Sequence, residues 1–549
     1  MGESGMKHIP FEQLPGFSRL FLDFWQGNPF FEEVFPFNKK LFSDSSGLME
    51  RASGFKQRVM LRDVIKNSSA INSNSPQKKI NLEALVESNS LAVVTGQQVG
   101  FLGGPIYTFL KAMSAVRLAE KLTGIHSGLR FVPVFWIEDN DHDNLESSQT
   151  FLFSQDSQIY QTGCEPNATK DDRTAVSELI FNDNINDIIS NIITTLPQGQ
   201  FIDEISLLIK QNFQSGKCWT DAFIEFLEEI LGDTGILFIK ASVARRHGLF
   251  AEIIQKEISS LGCSDDLIQQ TNKKLEQAGY HIQARSSRIN LFYHENKKRE
   301  KIIPLDLSMS RFRAGDSILT KEELNDLAQS HPELFSPKVL LRPICQDCAL
   351  PTAAYIGGPS EIGYSAQIRC LYEYFSIPMP AFLMRHSATL ITKKLKRILE
   401  NTRKPPLFYF RKQNEIELDL LNQGDGIEIE NLFTDAKRET ASIFNRISAH
   451  LISNDSLIRS SQATEHKSLE LLAHLEKKVI SANKKSQSEL YEKAIQAASM
   501  IYPLRSLQER IFSPVSFIAQ CGLEKFRVVL NKITNETPDR HYLADLFEE

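Results

Sequence analysis

Two apolar segments joined by an amphipathic helix, within residues 91–143, constrain the fold more than any other feature. LAVV at 91–94 and FVPVFWI at 131–137 are short, partly β-branched runs. Between them Pro105 opens a segment with apolar residues at helical spacing. These residues are Ile106, Phe109, Leu110, Met113 and Val116. Two nearly all-apolar strands joined by a helix predict a parallel sheet that is covered on both faces.

Changes in the hydrophobic pattern along the 549 residues predict five segments. They are 1–150 as the first part of an α/β core, 151–233 as a helical insertion, 234–390 as the rest of the core with a second insertion, 391–505 as a helical arm and 506–549 as a helical segment packing back on the core. Helices are expected near 185–195, 203–213 and 219–231. In the arm, polar interruptions favour a hairpin of long helices over a continuous dimeric zipper.

Composition and charge narrow the function classes. A formal charge of -6 argues against extensive binding of nucleic acid over the protein surface. The N-terminus has no basic region before an apolar core, and no segment approaches about 18 apolar residues, so we expect a cytoplasmic protein. The seven cysteines are expected to be reduced thiols. The single C-x-x-C pair, Cys345 and Cys348, is weak support for a metal site.

Charge is concentrated directly after the second apolar strand, in EDNDHDNLE at 138–146. Ligands of open α/β sheets bind at the carboxyl ends of inner parallel strands. Asp141, His142 and Asp143 could there bind a divalent metal, act as acid and base, or bind an ammonium group. Clustered carboxylates repel one another, so a cation or amine partner is expected. A solvated loop is the alternative.

Gly-Gly-Pro occurs twice, at 103–105 and 357–359, each time before a predicted helix. The free N–H groups of such helix starts suit a phosphate or carboxylate. Two tight turns that need glycine are the alternative. Lys111, one turn after Tyr107, could reach an anion. Neither loop is a Walker or dinucleotide-binding motif.

A third polar cluster lies in LRPICQDCALPTAAYIGGPSEIGYSAQ. We predict a strand at 339–344, with polar residues after it and Glu361 in the first turn of a later helix, where the helix dipole favours a carboxylate. Arg385 follows another apolar run and suits a bidentate pair with a substrate carboxylate. The basic residues of 391–412 are expected to form the solvated side of a helix.

Four segments, in this order, resemble the bacillithiol biosynthesis cysteine-adding enzyme family. They are TGQQVGFLGGPIYTFLK, PVFWIEDNDHDNLE, the cluster just quoted and YPLRSLQERIFSP. The resemblance implies a Rossmann-like core related to class I aminoacyl-tRNA synthetases and nucleotidylyltransferases, with connecting-peptide insertions and a coiled-coil domain that forms a homodimer. It also implies a ligase that joins the carboxylate of cysteine to the amine of glucosaminyl malate, without nucleic-acid or membrane partners. Because a carboxylate is a poor electrophile, activation by ATP with Mg²⁺ is expected.

The resemblance assigns expected site residues by position. The catalytic set is Asp141, His142, Asp143 and Glu361, and no resident metal is predicted. The substrate-binding set is Thr95, Gly96, Gln97, Gln98, Gly104, Tyr107, Lys111, Gln346, Asp347, Gly358, Tyr364 and Arg385. Arg342, which follows the strand predicted in the third polar cluster, is added to this set from the residues alone. Glu146 also matches the family pattern. The glycine turns are expected to bind the anionic ligand, the Asp141–Asp143 group the amines, and Lys111 or Arg385 a malate carboxylate.

The sequence departs from the synthetase and family patterns in two ways. Asn140 stands where the family has an acidic residue. The acidic side chains that precede Asp141 in this sequence are therefore Glu138 and Asp139. The His-x-Gly-His and Lys-Met-Ser-Lys-Ser signatures of ATP use are missing. Two further hypotheses are a metal-dependent hydrolase that uses the Asp-His-Asp cluster and a non-catalytic helical dimeric scaffold.

Overall fold

The computed structural model of the chain describes residues 6–68, 75–143, 147–164, 173–306, 308–422, 426–451 and 455–548. The chain forms two compact units. One contains residues 1–393 and 506–549, and the other contains residues 394–505.

The strands of the described residues are β1 His8–Ile9, β2 Ser90–Gln98, β3 Arg130–Glu138, β4 Gln149–Phe153, β5 Ile159–Gly163, β6 Leu237–Lys240, β7 Leu291–Glu295, β8 Lys298–Pro304, β9 Arg311–Ala314, β10 Ser317–Thr320, β11 Phe335–Pro337, β12 Thr352–Gly357, β13 Ala381–Met384, β14 Ser387–Ile391 and β15 His541–Asp545.

The α-helices of the same residues are α1 Arg19–Trp25, α2 Phe30–Val34, α3 Ser45–Gly54, α4 Arg58–Ser68, α5 Pro76–Val86, α6 Tyr107–Ile125, α7 Ile185–Thr195, α8 Ile202–Asn212, α9 Trp219–Leu231, α10 Ala241–Arg246, α11 Ala251–Ser259, α12 Cys263–Gln277, α13 Lys321–Ser330, α14 Arg342–Ala349, α15 Pro359–Ser365, α16 Arg369–Phe375, α17 Lys393–Thr402, α18 Gln413–Asn422, α19 Gly426–His450, α20 Asp455–Ile501, α21 Val515–Cys521 and α22 Leu523–Asn535.

The core of the larger unit is a five-stranded parallel sheet with the strand order β13-β12-β2-β3-β6. The chain lays down β2, β3 and β6 in one direction, then returns to the other side of β2 to add β12 and β13. The direction of winding therefore changes between β2 and β12. The carboxyl ends of these two strands flank the crevice where open α/β sheets bind ligands. This arrangement confirms the expected Rossmann-like core.

Strand β2 shows why this sheet needs continuous apolar runs. Leu91 and Val93 pack in one hydrophobic cluster with residues of α3 and α6, whereas Ala92 and Val94 pack in another with residues of α4 and α5. Successive side chains of a strand point to opposite faces, so a strand covered on both faces requires apolar residues at every position. The prediction of a doubly covered parallel sheet is confirmed.

The smaller sheets were less visible in the sequence. A five-stranded sheet with the order β10-β9-β8-β7-β11 is antiparallel throughout. A three-stranded sheet joins β1, β15 and β14. The predicted helices near 185–195, 203–213 and 219–231 are present as α7, α8 and α9. The same segment also contains strands of the β4–β5 hairpin, which its polar character did not indicate.

The strand predicted at 339–344 is wrong. This stretch leads into α14, which begins at Arg342 with Pro343 in its first turn. A short apolar run does not distinguish a strand from a buried helix, whereas proline at the first turn is a helix-start signal. Arg342, Gln346 and Asp347 therefore lie on a helix that precedes β12, rather than after a strand.

The smaller unit contains the two long helices α19 and α20. They run antiparallel, because Ser448 near the end of α19 contacts Ser461 near the start of α20 at 3.1 Å, whereas Lys437 pairs with Glu476 at 2.5 Å. The predicted hairpin of long helices is confirmed. Within α17, Leu395 and Ile398 are buried and the neighbouring lysines are exposed, as expected. None of the helices among the described residues combines the length and hydropathy needed to cross a membrane.

Candidate functional site

A cleft of about 530 Å³ lies at the carboxyl ends of β2, β3 and β12. Its other wall comes from the antiparallel sheet, through Phe292 of β7, Arg299 of β8 and Pro337 of β11. Twelve residues predicted from the sequence line this cleft. They are Gly96, Gln97, Gln98, Tyr107, Lys111, Asp141, His142, Arg342, Gly358, Glu361, Tyr364 and Arg385. Segments far apart in the chain thus meet at one rim of the sheet.

A buried ion pair between Lys111 and Glu361 links α6 to α15. The Lys111 Nζ lies 2.6 Å from Glu361 Oε2 and donates to the carbonyl oxygen of Gly96 at 2.9 Å. Glu361 also accepts from the Tyr355 hydroxyl at 2.6 Å and from the Gly358 N–H at 2.8 Å. Burial would raise the pKa of Glu361, but Lys111 and these donors hold it below its ordinary value. The carboxylate is therefore ionised and fixed.

This ion pair changes the expected role of two groups. A Lys111 ammonium group has three protons. Its acceptors are the Gly96 carbonyl, Gln97 Oε1 at 3.0 Å and Glu361. The N–H of Gly358, expected to face an anionic ligand, donates instead to Glu361. Lys111 consequently positions Glu361 in the cleft and has no further N–H for a substrate.

A second ion pair fixes Asp141 at the end of β3. Arg299 Nη1 donates to Asp141 Oδ1 at 2.9 Å, and the Gln98 amide donates to Oδ2. Burial opposes ionisation of Asp141, but Arg299 and Gln98 outweigh it and lower its pKa. The cation expected next to this acidic cluster is therefore supplied by β8 of the chain itself.

His142 presents a neutral imidazole to the cleft. Burial lowers its pKa, and the nearby Arg299 lowers it further. Its Nδ1 lies 3.7 Å from Asp141 Oδ1, which is too long for a hydrogen bond. Among the described residues, this buried nitrogen has no hydrogen-bond partner. A buried unpaired nitrogen at a cleft wall is available to a ligand proton.

Arg385 is held by the C-terminal part of the chain. Its Nη2 lies 2.7 Å from Glu509 Oε1, and both side chains are almost completely buried. Glu509 also accepts from the Ser387 hydroxyl at 2.9 Å and the Ala388 N–H at 2.6 Å. Arg385 thus lines the cleft with its charge already neutralised, so its expected role with a malate carboxylate has a competitor within the chain.

His541, next to this network, gives the fold a pH dependence of defined sign. Its two ring nitrogens lie 2.8 Å from the Ser387 and Thr389 hydroxyls, and burial lowers its pKa to about 4. In the unfolded chain the pKa returns to about 6.5. The unfolded state therefore binds a proton first as the pH falls. The stability that the neutral ring contributes is complete above about pH 6.5 and is lost towards about pH 4.

We expect this loss to amount to about 1.4 kcal/mol of unfolding free energy per pH unit from His541 alone. The His541→Gln variant retains a donor and an acceptor but does not titrate, so its stability should depend less steeply on pH by that amount. Urea denaturation between about pH 7 and about pH 5 measures both slopes. Equal slopes in the two proteins would contradict the assignment.

Five predicted residues do not line the cleft. Thr95 donates to the carbonyl oxygen of Ile356 at 2.9 Å and so joins β2 to β12. Gly104 has a φ of 67°, which suits the turn before α6. Gln346 and Asp347 are buried in α14, where Gln346 donates to Asp347 at 3.2 Å. The fifth residue, Asp143, is exposed on the loop after β3.

Asn140, which departs from the family pattern, and its neighbour Asp139 also have structural partners. Asn140 Oδ1 accepts from Arg245 Nε at 2.9 Å, and Asp139 accepts from the Ser242 N–H at 2.8 Å. Of the two acidic residues that precede Asn140, Glu138 lines the cleft, and burial raises its pKa. The remaining match, Glu146, lies outside the described residues.

Several cleft residues were missed by the sequence reasoning. They are Arg285, Phe292, Arg299, Pro337, Lys338, Val339, Ser360 and Arg510. Most come from the antiparallel sheet or the loops next to it, where no recognised motif occurs. Two of them had a signal in the sequence: Arg510 lies within the quoted segment YPLRSLQERIFSP, and Ser360 lies within the third polar cluster.

The cleft carries more positive than negative charge. Its lining includes seven lysine and arginine residues but three carboxylates, a balance that suits acidic ligands such as carboxylates and phosphates. Among the described residues, no group of three or more His, Cys, Asp and Glu side chains is placed to hold a metal ion. The Asp141–His142 donor set therefore does not favour the metal-dependent hydrolase.

Comparisons with known proteins identify relatives over nearly the whole chain. Curated relatives named "Putative cysteine ligase BshC" include one from Chloroherpeton thalassium, 28% identical, with 98% of this chain and 99% of the relative covered. One from Chlorobaculum tepidum is 27% identical, with 97% of each chain covered. A solved structure described as a putative arginyl-tRNA synthetase from Campylobacter jejuni has 10% identity and a TM-score of 0.20, with 84% of this chain and 98% of that chain covered. That score is too low to carry an argument.

Two family models together span nearly the whole chain. The N-terminal Rossmann-like domain of bacillithiol biosynthesis BshC matches residues 5–386, and the C-terminal coiled-coil domain of the same family matches residues 388–546. The first match contains the parallel sheet, and the second contains the long helices. The chain therefore belongs to the bacillithiol biosynthesis BshC family.

Proposed function

We propose that this protein is a cysteine ligase that forms an amide bond between the carboxylate of L-cysteine and the amine of glucosaminyl malate. The observation that carries the proposal is the near full-length similarity to relatives named as cysteine ligases. The basic cleft supports it, because both proposed substrates carry carboxylates. The neutral imidazole of His142 beside that charge supports it further, since amide formation releases a proton from the amine.

The proposed reaction uses two side chains that line the cleft, His142 and Glu361. The amine nitrogen attacks the activated carboxyl carbon of cysteine, the C–N bond forms, and the leaving group departs with the electrons of the C–O bond. The proton lost by the amine passes to the neutral ring of His142. Asp141, fixed by Arg299, holds the loop that carries His142. Glu361, fixed by Lys111, provides a carboxylate for the ammonium group of cysteine.

We propose ATP with Mg²⁺ as the activator. Bound ATP would convert the cysteine carboxylate into an acyl phosphate or an acyl adenylate, from which phosphate or AMP would leave. The cleft fits a polyphosphate in two respects: it lies at the reversal of strand order, where such sheets bind nucleotides, and it contains Lys338 and Arg342. Lys338 donates to the neutral Ser287 hydroxyl at 2.7 Å, and Arg342 donates to the Tyr364 hydroxyl at 2.6 Å. These two cations would hold the phosphates.

We also propose that the enzyme is a cytoplasmic homodimer that pairs through the helical unit and binds small molecules rather than nucleic acid or membranes. Several large apolar side chains of the long helices are exposed. They include Leu432, Ile443, Leu471 and Leu475. Large apolar side chains exposed on paired helices suit a protein interface. The seven cysteines are free thiols, which suits a reducing compartment.

The function is tested by incubating the purified protein with cysteine, glucosaminyl malate and one candidate activator at a time, followed by mass spectrometry of the thiol products. We expect the condensed product with ATP and none without an activator. Product with a different activator would contradict the role of ATP but not the ligase. The absence of product with every activator, from protein that is folded by circular dichroism, would contradict the ligase.

A further inference from the structure

Two arginines in the cleft differ from its other cations. Lys111, Arg299 and Arg385 are each paired with a carboxylate of the chain. Arg285 and Arg510 line the same cleft, and neither guanidinium has a hydrogen bond or ion pair with any residue that the structure describes. Both side chains are exposed. Arg285 also lines the adjoining cavity beside α12. An unpaired guanidinium that lines a cleft is available to an anionic ligand.

The loop that carries Arg285 is held rigidly by a buried amide. Gln367 is completely buried, and its Oε1 accepts from the N–H groups of Gln283 at 3.1 Å and Ala284 at 3.0 Å. Its Nε2 donates to the Ala284 carbonyl at 2.9 Å and to Asn272 Oδ1 at 2.8 Å. Both the N–H groups and a carbonyl group of the backbone directly before Arg285 are therefore hydrogen-bonded.

The backbone next to Arg510 is fixed in a comparable way. Gln508 pairs with the edge of β14 as a strand would, because its Oε1 accepts from the Leu390 N–H at 2.7 Å and its Nε2 donates to the Leu390 carbonyl at 3.1 Å. Glu509 accepts from the Ala388 N–H at 2.6 Å. Arg510 follows these two anchored residues, so its Cα has a defined place at the cleft.

We propose that Arg285 and Arg510 together hold the carboxylates of a dicarboxylic acid group on the acceptor substrate. This inference rests on the proposed function, in which the acceptor carries malate. Because the backbone at both arginines is already fixed, binding does not have to order it, and the planar donors of arginine match carboxylate oxygens. Lys111 and Arg385, to which the sequence assigned this role, already have carboxylate partners in the chain.

The test is isothermal titration of the full-length protein with glucosaminyl malate in the absence of cysteine and nucleotide. Arg285→Gln and Arg510→Gln are each expected to weaken binding roughly ten- to hundredfold, the effect of losing one charged hydrogen-bonding group. The matched control is Arg288→Gln. Arg288 is exposed near Arg285 and pairs with Asp266 at 2.5 Å, so its loss should leave the affinity within about twofold of wild type.

Two further titrations identify the ligand group. A glucosaminide without malate should bind weakly, and the two arginine variants should bind it as wild type does. ATP affinity should be unchanged in both variants. A selective loss of ATP affinity would assign the arginines to phosphate and overturn the proposal.

The remaining outcomes separate this inference from the proposed function. Variants that bind glucosaminyl malate as tightly as wild type would overturn the two-arginine site and leave the ligase intact. If wild type itself fails to bind glucosaminyl malate, both the acceptor and the site assigned to it are overturned. Because both side chains are exposed, the variants should unfold at the wild-type temperature, which thermal denaturation checks.

Discussion

Asp141→Asn is expected to lower kcat/KM for the ligation by roughly 10²–10³-fold. Asp141 accepts hydrogen bonds from Arg299, Gln98 and the His142 backbone N–H. An amide cannot accept all of them, and it leaves the nearly buried Arg299 without its ion-pair partner. A buried unpaired charge is costly, so Arg299 and the loop that carries His142 should both move. Steady-state kinetics with cysteine, glucosaminyl malate and ATP measures the effect.

The neighbouring acid provides a matched control. Asp143 is two residues away but exposed, and it does not line the cleft. We therefore expect Asp143→Asn to retain activity within about threefold, because substitutions at exposed positions outside a site have small effects. Equal losses in the two variants would show that the loop as a whole matters. An active Asp141→Asn enzyme would contradict the role assigned to the Asp141–Arg299 pair.

Glu509→Gln is expected to lower the free energy of unfolding by about 3–5 kcal/mol, the cost of removing one partner of a buried ion pair. Arg385 and Glu509 are 2% and 0% exposed, so water cannot replace the lost carboxylate. The tryptophans, Trp25, Trp136 and Trp219, lie in the same compact unit as the pair. Urea denaturation followed by their fluorescence therefore measures the relevant transition.

An exposed pair serves as the comparison. Glu524 pairs with Arg527 one helical turn away, and the Glu524 side chain is 80% exposed. Glu524→Gln should change the free energy of unfolding by at most about 1 kcal/mol. A Glu509→Gln variant as stable as Glu524→Gln would contradict the inference that the segment 508–510 holds Arg385 in the cleft.

Elements with a clear hydrophobic period were predictable from the sequence. Residues 91–94 and 131–137 are apolar at every position because β2 and β3 are covered on both faces, and α9 shows a continuous apolar side at helical spacing. The local pattern was sufficient to predict these elements, because buried residues recur at different spacings in strands and in helices. The short apolar run at 339–344 was ambiguous for the same reason, and α14 begins within it.

The candidate site was predictable in its location but not in its pairings. The rule that ligands bind at the carboxyl ends of parallel strands placed His142 and Glu361 near one another, and both line the cleft. The partners of Asp141 and Arg385 are 158 and 124 positions away in the chain, at Arg299 and Glu509. A single sequence contains no local signal for such contacts. The free arginines could be distinguished from the paired ones only after folding.

We propose that distant segments build one cleft in which both substrates meet. A crystal structure of the protein with glucosaminyl malate and cysteine bound tests this proposal. We expect the acceptor amine within hydrogen-bonding distance of His142, and its carboxylates next to Arg285 and Arg510. Substrates bound elsewhere, for example in the neighbouring cavity of about 760 Å³ beside α12, with His142 and Glu361 contacting neither of them, would contradict it.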